Sequence, residues 1–250
     1  MAGSVQRNRL DTAREHRDRL AMLGQLAAGV AHELSNPLAY VSANLGYLAE
    51  KLGGGPPSGD ELRELLEETR DGVRRMIGLV QDLRSAGRRP RGDGGLVDLD
   101  ALARRAAVLV GAQFKHRVEF RLEPGAPPPV AAEGERLLQI LLNLLINAGQ
   151  AMDRRGTAVV RTRAEGPWSL LEVEDDGPGV PEALAERIFE PFFTTKPDGE
   201  GTGLGLAISL QIARSYGGEL AVSRAPGGGA RFTLRLPCCA GGGEALDETG

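Results

Sequence analysis

The 250-residue sequence has no long apolar run and no recognisable targeting segment. A helix that spans a bilayer needs roughly 20 consecutive apolar residues, and no stretch approaches that length. No signal-peptide pattern opens the chain, and no internal repeat is present. These absences predict a chain without a membrane segment, which we expect to be cytoplasmic.

The sequence also contains few cysteines and has no excess of positive charge. The two cysteines, Cys238 and Cys239, are adjacent, which gives neither a disulfide framework nor metal-ligand spacing, so we expect both to be reduced and incidental. The formal net charge is −4 and no basic stripe stands out, which argues against nucleic acid as a partner. The pattern Gly-x-x-x-x-Gly-Lys-Ser/Thr is missing as well, so the chain is not a P-loop protein.

Two amphipathic helices are predicted in the first third of the chain. Apolar residues recur at alternating three- and four-residue spacing from Leu20 to Leu52 and again from Leu62 to Leu83. The run Gly53–Gly59 separates the two helices, with Asp60 as the expected N-cap of the second. A hairpin of two such helices cannot bury both apolar stripes by itself. We therefore expect a homodimer in which two hairpins form a four-helix bundle.

His32 lies on the far side of the first helix from its apolar seam, in the run Ala-His-Glu-Leu-Ser-Asn-Pro. A core histidine would occupy the seam. Pro37 removes one backbone hydrogen bond and should bend the helix just after His32. Taken alone, a solvated filler histidine remains the alternative, and the rest of the sequence has to decide.

Short alternating strands interleaved with helices follow a polar linker. This order predicts one sheet with helices on one face, an α/β sandwich, so the fold class of the chain is expected to be α plus α/β. The predicted strands are 118–122, 157–163, 170–173, 220–223 and 231–236, and the predicted helices are about 100–113, 134–152 and 203–216. The expected boundaries are 1–19 for a charged N-terminal extension or signalling linker, 20–89 for the hairpin, 90–97 for the linker, 98–237 for the sandwich and 238–250 for a disordered tail.

Two polar motifs of the sandwich indicate a ligand site. Asn143 and Asn147 lie one turn apart on one face of an otherwise apolar helix, where asparagine is costly unless it is hydrogen-bonded or ligating. The alternative is a pair of surface or capping asparagines. Asp175 ends a strand at a tight turn with Gly177 and Gly179, where the chain can approach a ligand closely. By itself this run is also compatible with a simple turn or a calcium-like loop, although no further spaced acidic ligands follow.

A third motif, Gly201-Thr-Gly-Leu-Gly-Leu206, opens a helix and follows Lys196. Exposed backbone amides at a helix N-terminus form a cradle for phosphate. Phe192 and Phe193 precede this segment. One interpretation of these two rings is that they anchor the segment against the core, and the other is ordinary core packing; we expect both.

In this order, the motifs resemble those of the sensor histidine kinases of two-component systems, from about residue 20 to Pro237. The resemblance implies that His32 takes a phosphoryl group from ATP and passes it to an aspartate in the receiver domain of a response regulator. Imidazole suits this role because its neutral form is nucleophilic near pH 7. Glu33 resembles the family's acidic partner, which orients the ring and accepts its second proton. Asn36 matches a position that helps water attack the regulator's acyl phosphate, which leaves phosphatase activity open.

The resemblance also implies ATP and Mg²⁺ as cofactors and assigns their site. Asn147 would supply an oxygen to Mg²⁺, and Asn143 would face the phosphates. Asp175 would accept a hydrogen bond from the exocyclic amine of adenine, and Lys196 would meet the terminal phosphates. The other ATP-binding residues that it implies are Gly177, Gly179, Phe193, Thr194, Thr195, Gly201, Thr202, Gly203, Leu204 and Gly205.

Two alternatives from other functional classes stay open. The sandwich is shared with clamp ATPases such as gyrase and heat-shock chaperones, which place a glutamate where this chain has Asn143, so phosphoryl transfer is favoured over hydrolysis. A non-catalytic dimeric scaffold would not need to keep His32, Asn147, Asp175 and Gly203 together. Departures from the family pattern are Ala230, where threonine is common, and Gly149, which should weaken its helix slightly.

The remaining expectations concern input and subgroup. No sensor domain is recognisable in the sequence, so we expect the signal to come from an upstream sensor domain or a sensor protein. The short lid, Thr-Lys-Pro-Asp-Gly-Glu-Gly, resembles that of the nitrogen-regulation kinases.

Overall fold

The structure is a computed structural model that describes residues 31, 34–51, 55, 57–87, 94–152, 155–196 and 201–239. The predictions for residues 1–30, for His32 and Glu33, and for the tail from residue 240 lie outside the described residues. The described residues form two compact units. The first contains the helices before Arg88 together with Thr194–Leu204, and the second contains Arg89–Phe193 and the chain from Gly205 onward. Among the helices described, none is long and apolar enough to cross a membrane.

The first unit contains two helices, α1 (residues 34–51) and α2 (Gly59–Gly87). Ser58 caps α2, because its Oγ accepts from the backbone N–H of Glu61 at 3.2 Å while the Glu61 carboxylate accepts from the Ser58 N–H at 3.4 Å. This reciprocal pair is a capping box. The predicted N-cap, Asp60, is therefore wrong by two residues, since the Ser-x-x-Glu spacing satisfies two amide donors where Asp60 would satisfy one.

The two helices approach closely at Gly72. A Cβ on this glycine would lie 2.7 Å from atoms of both the Tyr40 and the Val41 side chains. Polar contacts continue along the hairpin, where Tyr47 donates to Glu61 at 2.5 Å. Most apolar side chains of the stripe nevertheless stay exposed: Leu38, Leu45, Leu62, Leu66, Val73, Ile77 and Val80 are between 38% and 58% exposed.

The second unit is built on a five-stranded sheet of order β2-β4-β5-β7-β6, in which β2 pairs with β4 in parallel and every other pair is antiparallel. The strands are β2 (Val118–Glu123), β4 (Gly156–Glu165), β5 (Trp168–Asp175), β6 (Glu219–Arg224) and β7 (Ala230–Pro237). All five predicted strands are present, and each extends one or two residues beyond the predicted range at one end or both.

Three helices cover one face of this sheet: α3 (Leu99–Phe114), α4 (Gly134–Ala151) and α5 (Gly205–Ser215). Strand β7 shows the division, because Phe232, Leu234 and Leu236 are buried while Arg231 and Arg235 alternate with them on the other face. On that outer face arginines pair with glutamates of neighbouring strands. The predicted α/β sandwich after a helical region is confirmed.

Two very short strands, β1 (Leu96–Val97) and β3 (Val130–Ala131), form a separate antiparallel pair. The predicted linker therefore ends before residue 96, and the sequence missed both strands because two residues carry no periodicity. The sandwich also extends past its predicted end at residue 237. Cys238 donates its backbone N–H to the Pro167 carbonyl and Cys239 donates its own to the Pro129 carbonyl, both at 2.9 Å, so these two residues continue the end of β7 and are not part of a disordered tail.

Candidate nucleotide-binding site

Asp175 is a buried carboxylate at the end of the central strand β5, with 5% of its surface exposed. Its Oδ1 accepts from the backbone N–H of Gly177 at 3.0 Å and from that of Ala230 at 3.2 Å. Burial raises the pKa of Asp175, while the two backbone hydrogen bonds oppose this shift and the nearby Asp176 and Glu174 add to it. Among the described residues, no donor contacts Oδ2, so one oxygen is held by the chain and the other can accept from a ligand.

Close backbone packing shapes the surroundings of Asp175. A Cβ on Gly229 would overlap the backbone carbonyl of Asp175 and lie 2.9 Å from its Oδ1. Gly179 has a φ of +76°, and a Cβ there would lie 2.8 Å from the carbonyl oxygen of Gly228. Sequence reasoning named Gly179 but missed Gly229, although the run of glycines just before β7 was the available signal.

Asp176 has a structural role next to this carboxylate. Its side chain is exposed, and Oδ2 accepts from the backbone N–H of Thr157 at 2.9 Å, at the start of β4. The two adjacent aspartates therefore have different roles: Asp176 stabilises the start of β4, while Asp175 points into the buried side of the turn.

The C-terminal end of α4 lies against the Asp175 turn. A Cβ on Gly177 would lie 3.3 Å from the carbonyl oxygen of Ala151, the last residue of α4. Asn147 lies about one turn before that end and is partly buried. The structure thus brings the predicted asparagine helix and the predicted acidic turn to one place in the sandwich.

Asn143 joins α4 to the start of α5. Its Nδ2 donates to the carbonyl oxygen of Gly205 at 3.1 Å and to Oγ of Ser209 at 3.2 Å. Ser209 is fully buried and donates to the same Gly205 carbonyl at 2.8 Å. Sequence reasoning missed Ser209; a serine in the apolar stretch of α5 was the only signal.

Gly149 in α4 packs closely against α3, which sequence reasoning did not predict. A Cβ there would lie 2.8 Å from the ring of Phe114 in α3. Arg117 donates to the Gly149 carbonyl at 2.9 Å. Ala230 is similarly explained, because it contacts Asp175 through its backbone N–H, which any residue but proline supplies.

The aromatic segment after the acidic turn contains a strained residue. Phe192 has a φ of +66°, a region that side chains other than glycine rarely occupy. The next ring, Phe193, lies under the guanidinium group of Arg187 at 4.5 Å from the ring centroid. Phe193 is thus held by Arg187, which sequence reasoning did not single out.

The glycine-rich segment is described except for residues 197–200. Thr194 Oγ1 accepts from the backbone N–H of Lys196 at 3.1 Å, and Thr202 Oγ1 accepts from that of Leu204 at 3.3 Å. Gly203 has a φ of +63°. Each of the two hydroxyl bonds spans two residues and makes a local turn. Thr195, between Thr194 and Lys196, is exposed.

The donor chemistry fits a magnesium ion that is shared with a nucleotide. Among the described residues, no group of three or more His, Cys, Asp or Glu side chains could hold a metal alone. Mg²⁺ is commonly bound by one or two protein oxygens together with substrate phosphates and waters. The amide oxygen of a partly buried asparagine such as Asn147 is a suitable hard ligand of this kind.

The hairpin carries the other predicted site residues. Asn36 is exposed in α1, in the first unit, whereas His32 and Glu33 lie outside the described residues. Pro37, one residue later, is buried within α1.

Comparison with known proteins matches both halves of the chain to family models. The His Kinase A (phospho-acceptor) domain matches residues 22–92, and the histidine kinase-, DNA gyrase B-, and HSP90-like ATPase matches residues 132–239. The histidine-protein kinase AtoS of Escherichia coli K12 is 39% identical over 88% of this chain and 36% of its own length. The sensor histidine kinase ZraS of Escherichia coli O157:H7 is 36% identical over 92% of this chain and 50% of its own.

Solved structures of histidine kinases also resemble the chain. The histidine kinase ThkA in complex with the response regulator TrrA has a TM-score of 0.74 at 25% identity and covers 92% of this chain and 66% of that one. The mycobacterial sensor histidine kinase MprB has a TM-score of 0.51 at 30% identity over 58% of this chain and 97% of that one. The chain spans about a third to a half of the length of the curated relatives named above.

Proposed function

Because the chain belongs to the sensor histidine kinases, we propose that it is an ATP-dependent autokinase that phosphorylates His32 and passes the phosphoryl group to an aspartate of a response regulator. The observation that carries this proposal is Asp175. A carboxylate that is almost fully buried, with one oxygen held by two backbone amides, is a costly feature that a ligand donor would repay.

Asp175 recognises adenine. The exocyclic amine at C6 of adenine is a hydrogen-bond donor, whereas guanine carries a carbonyl oxygen there, which a carboxylate repels. The amides of Gly177 and Ala230 fix the direction of the carboxylate, so the second oxygen has a defined aim. This arrangement selects ATP over GTP.

The phosphates are bound by residues that follow Asp175 in the chain. Lys196 and the amides of the segment Gly201–Gly205 supply positive charge and N–H donors. Asn147 would supply an oxygen ligand to Mg²⁺, and the ion would supply positive charge next to the phosphates.

The chemical step is an in-line attack by His32. A nitrogen of the neutral imidazole forms a bond to the γ-phosphorus as the bond from that phosphorus to the bridging oxygen of ADP breaks, and Glu33 accepts the second ring proton. In the second step the N–P bond breaks as a carboxylate oxygen of the regulator's aspartate takes the phosphoryl group. Asn36 is the residue to which we assign any phosphatase activity, through a water that attacks the acyl phosphate.

The clamp ATPase alternative is disfavoured by Asn143. Both of its amide contacts, to the Gly205 carbonyl and to the Ser209 hydroxyl, use it as a donor. A glutamate, which those ATPases carry at this position, has no hydrogen to donate when ionised. The acceptors at the start of α5 therefore require an amide donor at position 143. An amide cannot act as the base that activates water in an ATPase.

The partners follow from the hairpin. Seven exposed apolar side chains along α1 and α2 support a homodimer in which two hairpins bury their stripes in a four-helix bundle. The complex of ThkA with TrrA supports a response regulator receiver domain as the second partner. Input from an upstream sensor domain or sensor protein, and membership of the nitrogen-regulation subgroup, remain predictions.

Autophosphorylation tests the proposal directly. The chain is incubated with γ-labelled ATP and Mg²⁺, and the protein-bound label is tested for lability in acid and stability in alkali, as a phosphorylated histidine requires. We expect label in the wild type and none in His32→Gln. ATP turnover without protein-bound label would favour the clamp ATPase, and absence of nucleotide binding would favour the scaffold.

A further inference from the structure

The segment Glu190-Pro-Phe-Phe193 forms a turn that has a phenylalanine where turns of this kind usually have glycine. The backbone N–H of Phe193 donates to the Glu190 carbonyl at 3.2 Å, which closes a four-residue turn. Pro191 is its second residue, and Phe192, its third, has a φ of +66°. A proline followed by a residue of positive φ is the pattern of a type II turn, in which the third residue is normally glycine or asparagine. The backbone of Phe192 is therefore strained.

Arg187 contacts the residue that ends this turn. The carbonyl of Arg187 accepts from the backbone N–H of Glu190 at 2.9 Å, so two successive turns lead from Arg187 to Phe193. The guanidinium group lies over the Phe193 ring, 4.5 Å from its centroid. Within the part of the chain that the structure describes, the Arg187 side chain forms no hydrogen bond and no ion pair, although Glu186 precedes it directly. Its contact with the ring thus joins the start of the two turns to their end.

The stacking of Arg187 on Phe193 supports the strained backbone between them. A residue stays in a rarely populated backbone region only where its surroundings hold it there. The planar guanidinium group of arginine stacks well on an aromatic ring, and the attraction between cation and ring adds to this contact. If the contact were lost, Phe192 could relax to a negative φ, and the direction in which the chain leaves Phe193 would change.

The chain that leaves Phe193 leads directly to Lys196. Only Thr194 and Thr195 lie between them, and Thr194 Oγ1 accepts from the backbone N–H of Lys196 at 3.1 Å. This short segment is locally folded, so its starting point at Phe193 determines where the backbone of Lys196 lies. A change at the turn would therefore displace the lysine.

We propose that Arg187 is a positioning residue, which maintains the strained turn by stacking on Phe193 and so holds Lys196 in place for the terminal phosphates of ATP. This inference rests on the proposed function, because that function assigns Lys196 to the phosphates. Arg187 itself does not contact the nucleotide. Without the stacking, a smaller fraction of molecules has the turn in its binding-competent form, and the apparent affinity for ATP falls by the same factor.

The first test measures the affinities for Mg²⁺-ATP and for AMP by isothermal titration calorimetry. Arg187→Gln should weaken ATP binding by about 2- to 5-fold, which corresponds to one cation–ring contact at an exposed site. Binding of AMP should change little, because AMP lacks the terminal phosphates. Arg224→Gln is the matched control, since it removes the same charge from an exposed position on β6 and should leave both affinities unchanged.

The second test repeats Arg187→Gln in two backgrounds that differ in strain. In the Phe192→Gly background the positive φ costs nothing, so the turn needs no support and Arg187→Gln should have little further effect. In the Phe192→Ala background the strain remains, so Arg187→Gln should again weaken ATP binding by about 2- to 5-fold. A direct contact of Arg187 with phosphate would instead give the same loss in every background.

A third measurement needs no nucleotide. Phe192→Gly should have a higher Tm than Phe192→Ala, because alanine is strained at a positive φ and glycine is not. Phe189 is the matched control position, since its φ is not positive. There the order should be reversed, with Phe189→Ala more stable than Phe189→Gly.

The outcomes separate the inference from the proposed function. Equal losses of ATP affinity in all three backgrounds, an equal loss of AMP affinity, or a Tm of Phe192→Ala at or above that of Phe192→Gly would overturn the positioning role of Arg187 while leaving the ATP site intact. A wild type that binds no nucleotide would overturn the proposed function and this inference with it.

Discussion

The hairpin and the sandwich solve the burial of apolar residues in opposite ways. In the sandwich, Leu137, Leu141 and Leu171 are completely buried within one chain. In the described part of the hairpin, Leu66 is still 48% exposed and Ile77 51% exposed. A two-layer sheet and helix arrangement closes its own core, whereas two helices have no third layer. The sandwich therefore closes a core within one chain, although Leu96, Val108 and Leu109 stay exposed on it, whereas the described part of the hairpin leaves most of its apolar stripe exposed.

The largest expected effect comes from charging the hairpin stripe. Leu66→Glu with Ile77→Glu should dissociate the proposed dimer, because each subunit loses about 2 kcal/mol for every apolar side chain no longer buried. Light scattering after size exclusion measures the mass, and ATP affinity of the sandwich should not change. Glu64→Gln, a polar change on the same helix, is the control and should remain dimeric. A doubly charged variant that keeps the dimer mass would contradict the assignment of this stripe to the interface.

The next effect is confined to the sandwich. Gly229→Ala places a Cβ against the backbone carbonyl of Asp175 and should cost about 3 kcal/mol, the upper end for overpacking, because backbone atoms cannot move aside easily. Gly227→Ala is the control, since nothing lies within 4 Å of a Cβ there. Thermal unfolding followed by circular dichroism should show a lower Tm for Gly229→Ala alone. Equal Tm values for the two variants would show that the Asp175 turn is loosely packed.

Asp175→Asn should weaken ATP binding by about tenfold, the effect of one hydrogen bond to a charged group. If the asparagine oxygen accepts from Gly177 and Ala230, its nitrogen is turned toward the adenine amine, and two donors then meet. Isothermal titration calorimetry measures the affinity. Asp176→Asn, at the exposed neighbour, should bind ATP as the wild type does; a similar loss there would mean that general negative charge at the turn matters and not the buried carboxylate.

The pH dependence of binding sharpens the same point. Burial raises the pKa of Asp175, and the ionised form is the better acceptor, so ATP affinity should fall as pH drops through this raised pKa, above the ordinary aspartate range. The effect on folding has the opposite sign. Protonated Asp175 stabilises the fold fully below the unfolded pKa, and that contribution is lost as pH rises through the folded value. ATP titrations over a pH series should show the fall in ATP affinity at low pH in the wild type and not in Asp175→Asn. A wild-type profile that is flat down to the ordinary aspartate pKa would contradict it.

The smallest effect tests the contact between α1 and α2. Gly72→Ala meets side-chain atoms of Tyr40 and Val41, which can shift, so a cost of about 1 kcal/mol is expected. Gly78→Ala meets nothing within 4 Å and should stabilise α2 by roughly 0.5–1 kcal/mol through helix propensity. Chemical denaturation followed at 222 nm compares the two. If both variants gain stability equally, the helices are farther apart at Gly72 than the structure has them.

Periodicity accounts for the elements that sequence reasoning placed well. The alternation in β7 and the apolar spacing in α4 are repeated often enough to identify a strand and a helix within two residues of their observed ends. Elements without repetition were missed, as β1 and β3 show. The N-cap of α2 was predicted at Asp60, because an acidic residue directly after glycines is typical of a cap. The pair Ser58 and Glu61 makes the cap instead.

The candidate site divides in the same manner. Asp175, Asn143 and Asn147 were readable because polar residues in apolar segments stand out in any sequence. Ser209 and Gly229 were not, since their roles depend on atoms of other elements that the chain brings together only when it folds. At Gly149, sequence reasoning considered only local helix propensity, because the ring of Phe114 that lies close to it belongs to another helix.

The sequence alone determined the order of helices and strands, the resemblance to a kinase family and the polar residues that any ligand site would use, because these depend on neighbours along the chain. Only the tertiary structure decided which oxygen of Asp175 accepts from backbone amides and which groups accept from the Asn143 amide. It also decided why a side chain at Gly149 or Gly229 would meet other atoms. Those properties depend on contacts between residues distant in the chain, and such contacts are set by packing.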